Sequence, residues 1–471
     1  MKMVFIKDIG VLRAAAAASP VVLLLSACAG SDADGGDGGD NDATQSPPTI
    51  ESDWEPREAE SHASPRPRLV IADAESAEIT VVDVLSGDDI DTLTVDSGEP
   101  IDLTATDDVG STVLLAGDEV GMLDTGIRWV AHGEHFDPEN EAPELVSGTL
   151  DIAADTAAVT GAGYATAFGA DPDGDPVAAH LTMDGEVPDE FPDHTLVDPP
   201  GTPETAAPLE EHLVLGYDDE VSVVDTDGEE LTDAIPCPAP QNATTLATED
   251  GPGVMVGCTD GALLVHGHDD DQLDHRPAPD AESTITELVG PTHTAGPALG
   301  QYGDSAIAVV DPQEQDIATI DLPDEAAALA WDPYWEQGLV LTRDGTLHGV
   351  DPDQAELTGS TEVTDEIPAD LDAGSAAIAP GESHVYVTNP FTGELVEAEA
   401  GRDGFDRTRN LALDLTPGDL AVVGLEPLGG HSGAGHDDHD DDHDHEHDHD
   451  HDHDHDHDHD HDHDDDHDHD H

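Results

Sequence analysis

Basic residues are almost missing from this chain. Lys and Arg together number 12 among 471 residues, against 110 Asp and Glu, for a formal net charge of -98. Such a surface repels phosphate backbones and anionic headgroups, which excludes nucleic acid and acidic lipid surfaces as electrostatic partners. It attracts cations, and it equally suits a protein kept soluble in high salt, where screening removes most self-repulsion. The acidity of the body therefore assigns no function by itself. Aromatic residues make up only 3%, so a core must rest on Val, Leu, Ile and Ala. No helical periodicity of any length follows the N-terminal segment. No apolar run beyond that segment approaches the ~20 residues that span a bilayer.

The N-terminus differs from the rest. Lys2, Lys7 and Arg13 precede the apolar run "AAAAASPVVLLL", which ends in small residues. A positive flank, a short apolar stretch and a small-residue cleavage point describe a secretory signal. Leu25-Ser26-Ala27-Cys28 resembles a bacterial lipobox, which implies cleavage before Cys28 and lipid on its sulfur. The alternative is an ordinary signal with an incidental cysteine. Residues 1–27 are thus read as signal peptide and 28–67 as a disordered acidic linker. That linker, with "GSDADGGDGGDNDATQSPP", has too little apolar surface to offset the entropy of ordering.

Residues 68–428 repeat themselves. An apolar strand running into an acidic residue and a turn recurs in "ITVVDVLSGD", "VGMLDTG", "VSVVDTDGE", "AIAVVDPQE" and "LHGVDPDQ". The acidic positions are Asp83, Asp124, Asp184, Asp225, Asp269, Asp311, Asp351 and Glu397, separated successively by 41, 60, 41, 44, 42, 40 and 46. A period of about 40–45 with several short strands per unit predicts an all-β fold, a single β-propeller. The count favours eight blades, with seven if one unit is degenerate; a pair of β-sandwiches is the competing architecture. The segment "LTPGDLAVVGL" reads as a strand returning to complete the first blade, and ring closure removes exposed sheet edges.

The stretch "DTGIRWVAHGEHFDPENEAPEL" opens a long insertion. Within it His132, Glu134 and His135 place two imidazoles and a carboxylate around a glycine, a donor set that suits Zn²⁺. Asp124 precedes them as ligand or as the acceptor that orients a ring. His212 lies before an apolar strand expected to begin a blade and face the channel, and His293 occupies a comparable place two units on; either could complete the site. His348 and His384 read as structural. Cys237 and Cys258, on neighbouring strands of an exported chain, pair as a disulfide or else serve as thiolate ligands.

In order along the chain, "LVIADAESAEITVVDVLSGD", "DTGIRWVAHGEH", "GCTDGALLV", "DLPDEAAALAWDP", "LTRDGTLHGVDP" and "LTPGDLAVVGL" resemble the AztD-type zinc metallochaperones. The resemblance implies an exported β-propeller that binds Zn(II) and hands it to the solute-binding protein of a zinc ABC importer. It implies metal ligands at His132 and His135, with Glu134 replacing an aspartate, and pairing of Cys237 with Cys258. The chain also departs from the family pattern. Phe136-Asp137-Pro138 stands where further histidines are common, Glu211-His212 where a His-His-Gly stretch is, and Gln241 near a missing histidine.

The C-terminal residues 429–471 interleave His with Asp, as in "HDHEHDHDHDHDH", which includes His443, His445, His447, His449 and His451. Nothing there is apolar, so the segment is read as a disordered tail. Three roles compete: a metal-collecting arm, a pH-responsive polyelectrolyte, and a solvated tail without a task. The favoured reading of the whole is a lipid-anchored extracytoplasmic zinc chaperone whose tail gathers metal and passes it to the propeller. A metal store (Zn, Ni or Cu) with no dedicated recipient is the alternative. A propeller enzyme, such as a lactonase or a quinone-dependent dehydrogenase, is disfavoured because no polar cluster recurs at matching places in several blades.

Overall fold

The computed structural model of the chain describes residues 52–57 and 66–425, except 97–99, 107–111, 118, 133–134, 160–162, 184–189, 200, 267–272, 278–283, 314–316, 369–375 and 403. Cys28 and the tail histidines, His443, His445, His447, His449 and His451 among them, lie outside the described residues. Eight four-stranded antiparallel sheets form the blades of a propeller. Blade 1 is closed by the two ends of the fold: Pro417–Val423 is its inner strand, followed outward by Arg68–Asp73, Glu78–Asp83 and Asp89–Thr94. The registered pairing of Val70 with Ala421 and of Leu69 with Val422 makes that closure. The inner strands of blades 2 to 8 are Asp102–Ala105, Ala153–Val159, Thr205–Leu209, Ala243–Thr248, Ile285–Val289, Ala326–Asp332 and Ile378–Pro380.

The recurring acidic residue has a local cause. Asp83 Oδ1 accepts the backbone N–H groups of Leu85 and Ser86, each at 2.9 Å. Asp225 Oδ1 accepts those of Asp227 at 3.0 Å and Glu229 at 2.8 Å, and Asp311 Oδ1 that of Gln313 at 2.8 Å. Each carboxylate braces the turn after a third strand, offering the backbone an Asx-turn partner where the ladder stops. At these positions the repeat is a turn signal at the end of a third strand; Glu397 departs from it, lying within the third strand of blade 8, Glu394–Gly401, and Asp184 and Asp269 lie outside the described residues.

Packing between blades is aliphatic. In one cluster Leu114 and Met122 of blade 2 meet Ala167, Ala179 and Leu181 of blade 3, all nearly fully buried. Small alanines let neighbouring sheets approach, and the scarcity of aromatic rings is consistent with this contact. Three buried arginines join neighbouring blades through turn carbonyls. Arg68 of blade 1 donates to Thr125 O and, at 2.8 Å, to Glu141 O at the rim of blade 2. Arg276 of blade 5 donates to Asp311 O of blade 6 at 3.2 Å, and Arg409 of blade 8 to Val84 O of blade 1 at 3.0 Å. Burying a guanidinium requires that its N–H groups be met, and orphan turn carbonyls meet them.

Cys237 and Cys258 form a disulfide with a Cα–Cα distance of 5.2 Å, and both are fully buried. It ties the exit of blade 4 to the second strand of blade 5, which closes the thiolate-ligand reading. Its loop spans 21 residues. Replacing both cysteines by serine is expected to lower stability by about 3 kcal/mol, read as a fall in the urea midpoint.

The linker boundary needs correction. Of residues 28–67, Ser52 to Arg57 are seated on the propeller, with Trp54 8% exposed. Composition across the segment is polar, and a single indole suffices to hold it.

Alternation of strand direction fixes the faces. Turns between inner and second strands, and between third and outer strands, share one face of the ring; the remaining turns share the other. The disulfide lies toward the second face. Asp124, His180, His212, His293 and His384 all belong to the first.

Candidate metal site

The inserted segment forms a two-stranded ribbon, Ile127–His132 against His135–Asn140, between the third and outer strands of blade 2. His132 and His135 are register partners at its tip. Gly133 and Glu134 lie outside the described residues. The base of the ribbon is fixed. Asp124, 4% exposed, takes Arg128 in a two-pronged ion pair at 2.6 and 2.7 Å and accepts Gly126 N–H at 2.8 Å. Gly126 has φ +74°, and a side chain there would run into the backbone at Ala142. Arg68 holds the opposite side through Thr125 and Glu141, as described. The hydrogen bond to Asp124 raises the Arg128 pKa, against the opposing effect of burial.

Asp124 is expected as a ligand or as the acceptor that orients a ring. Both its oxygens are committed to Arg128 and Gly126, and a buried carboxylate so paired steadies the ribbon's root.

His212 opens the second strand of blade 4, not the innermost, so it does not line the channel as expected. The inner strand Thr205–Leu209 precedes it, and Leu209 is its register partner. Its Nδ1 is buried and has no hydrogen-bond partner in the structure. Next to it stands a residue that the sequence pattern did not single out. His180, on the third strand of blade 3, is 4% exposed, and its Nε2 lies 2.8 Å from the carbonyl oxygen of Glu210. A carbonyl can only accept, so the Nε2 carries the proton. Burial lowers the His180 pKa; the Glu210 hydrogen bond opposes this, and nearby His212 reinforces it. The His180 ring is thus favoured as neutral imidazole, the form that binds metal. The signal for His180 was its place in "AAHLTMDGE", at the third-strand end of a repeat unit.

His293 does not join them. It is exposed on the turn between Ile285–Val289 and Ala298–Tyr302 in blade 6. Blade 6 is diametrically opposite blade 2 in a ring of eight, and the linear count of units hides that angle. His348 Nε2 lies 3.2 Å from Thr342 Oγ1 within blade 7, a structural role. Among the described residues no group of three or more His, Cys, Asp or Glu side chains is placed to hold a metal ion.

The central channel holds carboxylates instead. A cavity of about 590 Å³ is bordered by Asp102, Asp419 and Glu287 on the inner strands and by Asn242 just ahead of one. Burial pushes the Asp419 carboxyl up to about 6 and raises those of Asp102 and Glu287. Asp419 nonetheless accepts Leu103 and Leu420 N–H at 2.8 Å each, so it braces adjoining inner strands.

No protein-family profile matches the chain. Over 401 residues it is 26% identical to the zinc chaperone AztD of Citrobacter koseri, covering 79% of this chain and 91% of that protein. This chain is similar to AztD. The crystal structure of Citrobacter koseri AztD superposes with a TM-score of 0.67 at 24% identity, covering 76% of this chain and 98% of that one. The structure of apo AztD from the same organism gives 0.65 at 24%, with 77% and 99% covered. The fold is that of AztD, and almost the whole of AztD has its counterpart here.

Proposed function

We propose that the chain is a zinc metallochaperone, acting outside the cytoplasmic membrane and tethered through lipid on Cys28. The sequence likeness to a zinc chaperone along most of both chains carries this reading. The residues add a chemical rationale. His132 and His135 are backbone register partners at the end of an anchored two-stranded ribbon. His212, with an unpartnered Nδ1, and His180 sit on the same face of the ring, in blades 4 and 3. Imidazoles at the end of a ribbon suit an ion that must leave again, because the recipient can approach before the donor lets go. The recipient is the solute-binding protein of a zinc ABC importer, and transfer is ligand exchange with no chemical turnover.

The Asp/His tail gathers metal. Alternating imidazoles and carboxylates bind cations in shifting combinations, and ordering a coil opposes each chelate, so capture is weak and exchange is fast. Tethering raises the effective concentration of metal at the propeller.

Competition titration of zinc against a chelator, on the full chain and on a chain ending at Leu428, tests the division of labour. The shortened chain is expected to keep one tight site and lose the many weak ones. Loss of all zinc binding on shortening would instead identify a metal store with the propeller as a spacer.

A further inference from the structure

The segment ahead of the first propeller strand crosses the seam where the ring closes. Trp54 is buried among Leu69, Ile71, Val82 and Val84 of blade 1 and Tyr386 and Leu395 of blade 8. Its indole N–H donates to Val84 O at 3.3 Å, and the Arg409 guanidinium lies 4.0 Å from the ring centroid. Backbone pairing secures both ends. Asp53 N–H donates to Asn410 O at 3.0 Å, and Arg57 N–H to Leu85 O at 2.8 Å. Gly87, at φ +74°, leaves the space beneath the indole open; a side chain there would overlap the ring. Blade 1 is thus shaped to receive this tryptophan.

Arg57 ends the segment. It pairs with Glu397 through Nη2, and its Nη1 lies 2.8 Å from Nε2 of His384. A guanidinium can only donate, so that ring nitrogen must be unprotonated. The charged groups facing His384 are Arg57 on the segment, Glu397 and Glu399 on the third strand of blade 8, and Arg409 on its outer strand. Ser383 Oγ lies 2.9 Å from Nδ1. Protonation would put a third cation beside one carboxylate already shared by Arg57 and Arg409, and would remove the acceptor for Arg57.

We propose that Ser52–Arg57 is an acid-released latch over the closure seam, held while His384 is neutral and let go when His384 takes a proton. Burial lowers the His384 pKa, with Glu397 opposing and Arg57 and Arg409 reinforcing. A histidine depressed below its unfolded value of about 6.5 leaves the latch at full strength above that pH. The latch weakens as pH falls through the lower folded value. Glu397 stays ionised in that window, because the hydrogen bonds from Arg409 and Thr408 outweigh burial and hold its pKa below the ordinary glutamate value. When the latch opens, the chain preceding Ser52 loses its fixed point of departure from the propeller.

Trp54 reports the latch directly. Subtracting the emission of Trp54→Phe from that of the full chain removes Trp129, Trp331 and Trp335 and leaves the Trp54 component. Between about pH 8 and about pH 4.5 this component is expected to shift to the red with a midpoint below about 6.5, while far-ultraviolet circular dichroism stays constant. His384→Gln, whose amide oxygen accepts from Arg57 at any pH, is expected to suppress the shift down to the lower limit. Arg57→Ala is expected to show the shifted emission already at about pH 8. A Trp54 component that stays constant with pH, that moves equally in His384→Gln, or that is unshifted in Arg57→Ala overturns the proposal. None of these readouts depends on zinc.

Discussion

A chain ending at Leu428 and carrying His132→Ala with His135→Ala is expected to bind zinc more than about 100-fold more weakly than its parent. Loss of a residue that merely orients a ligand costs about 10–100-fold, and here two nitrogen donors vanish together. The ribbon itself should survive. Its root is held by the Asp124–Arg128 pair and by Arg68 on two carbonyls, all away from the tip. The measurement is competition with a zinc chelator at neutral pH, with circular dichroism to show that the sheet is intact. His293→Ala serves as the control and is expected to change nothing, because blade 6 lies across the ring from blade 2. His180→Ala and His212→Ala separate two arrangements. A loss comparable to the double variant would place the ion between ribbon and blades 3 and 4; no loss would confine it to the ribbon. Affinity in the parent should fall as pH drops below about 6.5, since each imidazole must shed its proton to bind. Unchanged affinity in the double alanine chain would remove the ribbon from the site.

What the sequence discloses and what it conceals follow from the range of the interactions. The repeated Asp at third-strand ends is a local device: Asp83, Asp225 and Asp311 each bond N–H groups within four residues. A pattern built that way is legible along the chain, and it discloses the strands, the blade count and the returning strand at Pro417–Val423. The disulfide was legible for the same reason, since its cysteines fall at adjoining blades only 21 positions apart. Angular position around the ring is not local. His293, two units on from His212, looked comparable in linear order, yet the ring sets its blade opposite the one that carries the ribbon. Asp124 reads as a ligand or an orienting acceptor because His132 and His135 follow it; its pairing with Arg128 four residues on, which takes both oxygens, is not visible in that pattern. Ser52–Arg57 was hidden by composition: one Trp and one Arg in a polar stretch, whose partners Arg409 and Glu397 lie more than 300 residues away.

Glu397→Ala is expected to be among the most destabilising single changes in the propeller, lowering stability by about 3–5 kcal/mol. The carboxylate is fully buried and accepts Arg409 Nε at 3.0 Å, Thr408 Oγ1 at 2.6 Å and Arg57. Removing it strands the Arg409 guanidinium, 6% exposed, against the Trp54 ring with only carbonyls as partners. Desolvating an unpaired cation is what makes breaking such a pair costly, far beyond what the pair contributes relative to apolar packing. Glu394 supplies the comparison on the same strand. It pairs with Arg407 at 2.7 Å, but that arginine side chain is 40% exposed, so water takes over when the acid is lost. Glu394→Ala should cost nearer 1–2 kcal/mol, mainly from the Thr364 hydroxyl it leaves behind. The check is the urea midpoint of each variant at neutral pH. Equal shifts would mean that burial of the guanidinium is not the cause. A large shift for Glu397→Ala alone would show that the junction between blades 8 and 1 is held by one carboxylate gathering two of the chain's few cations.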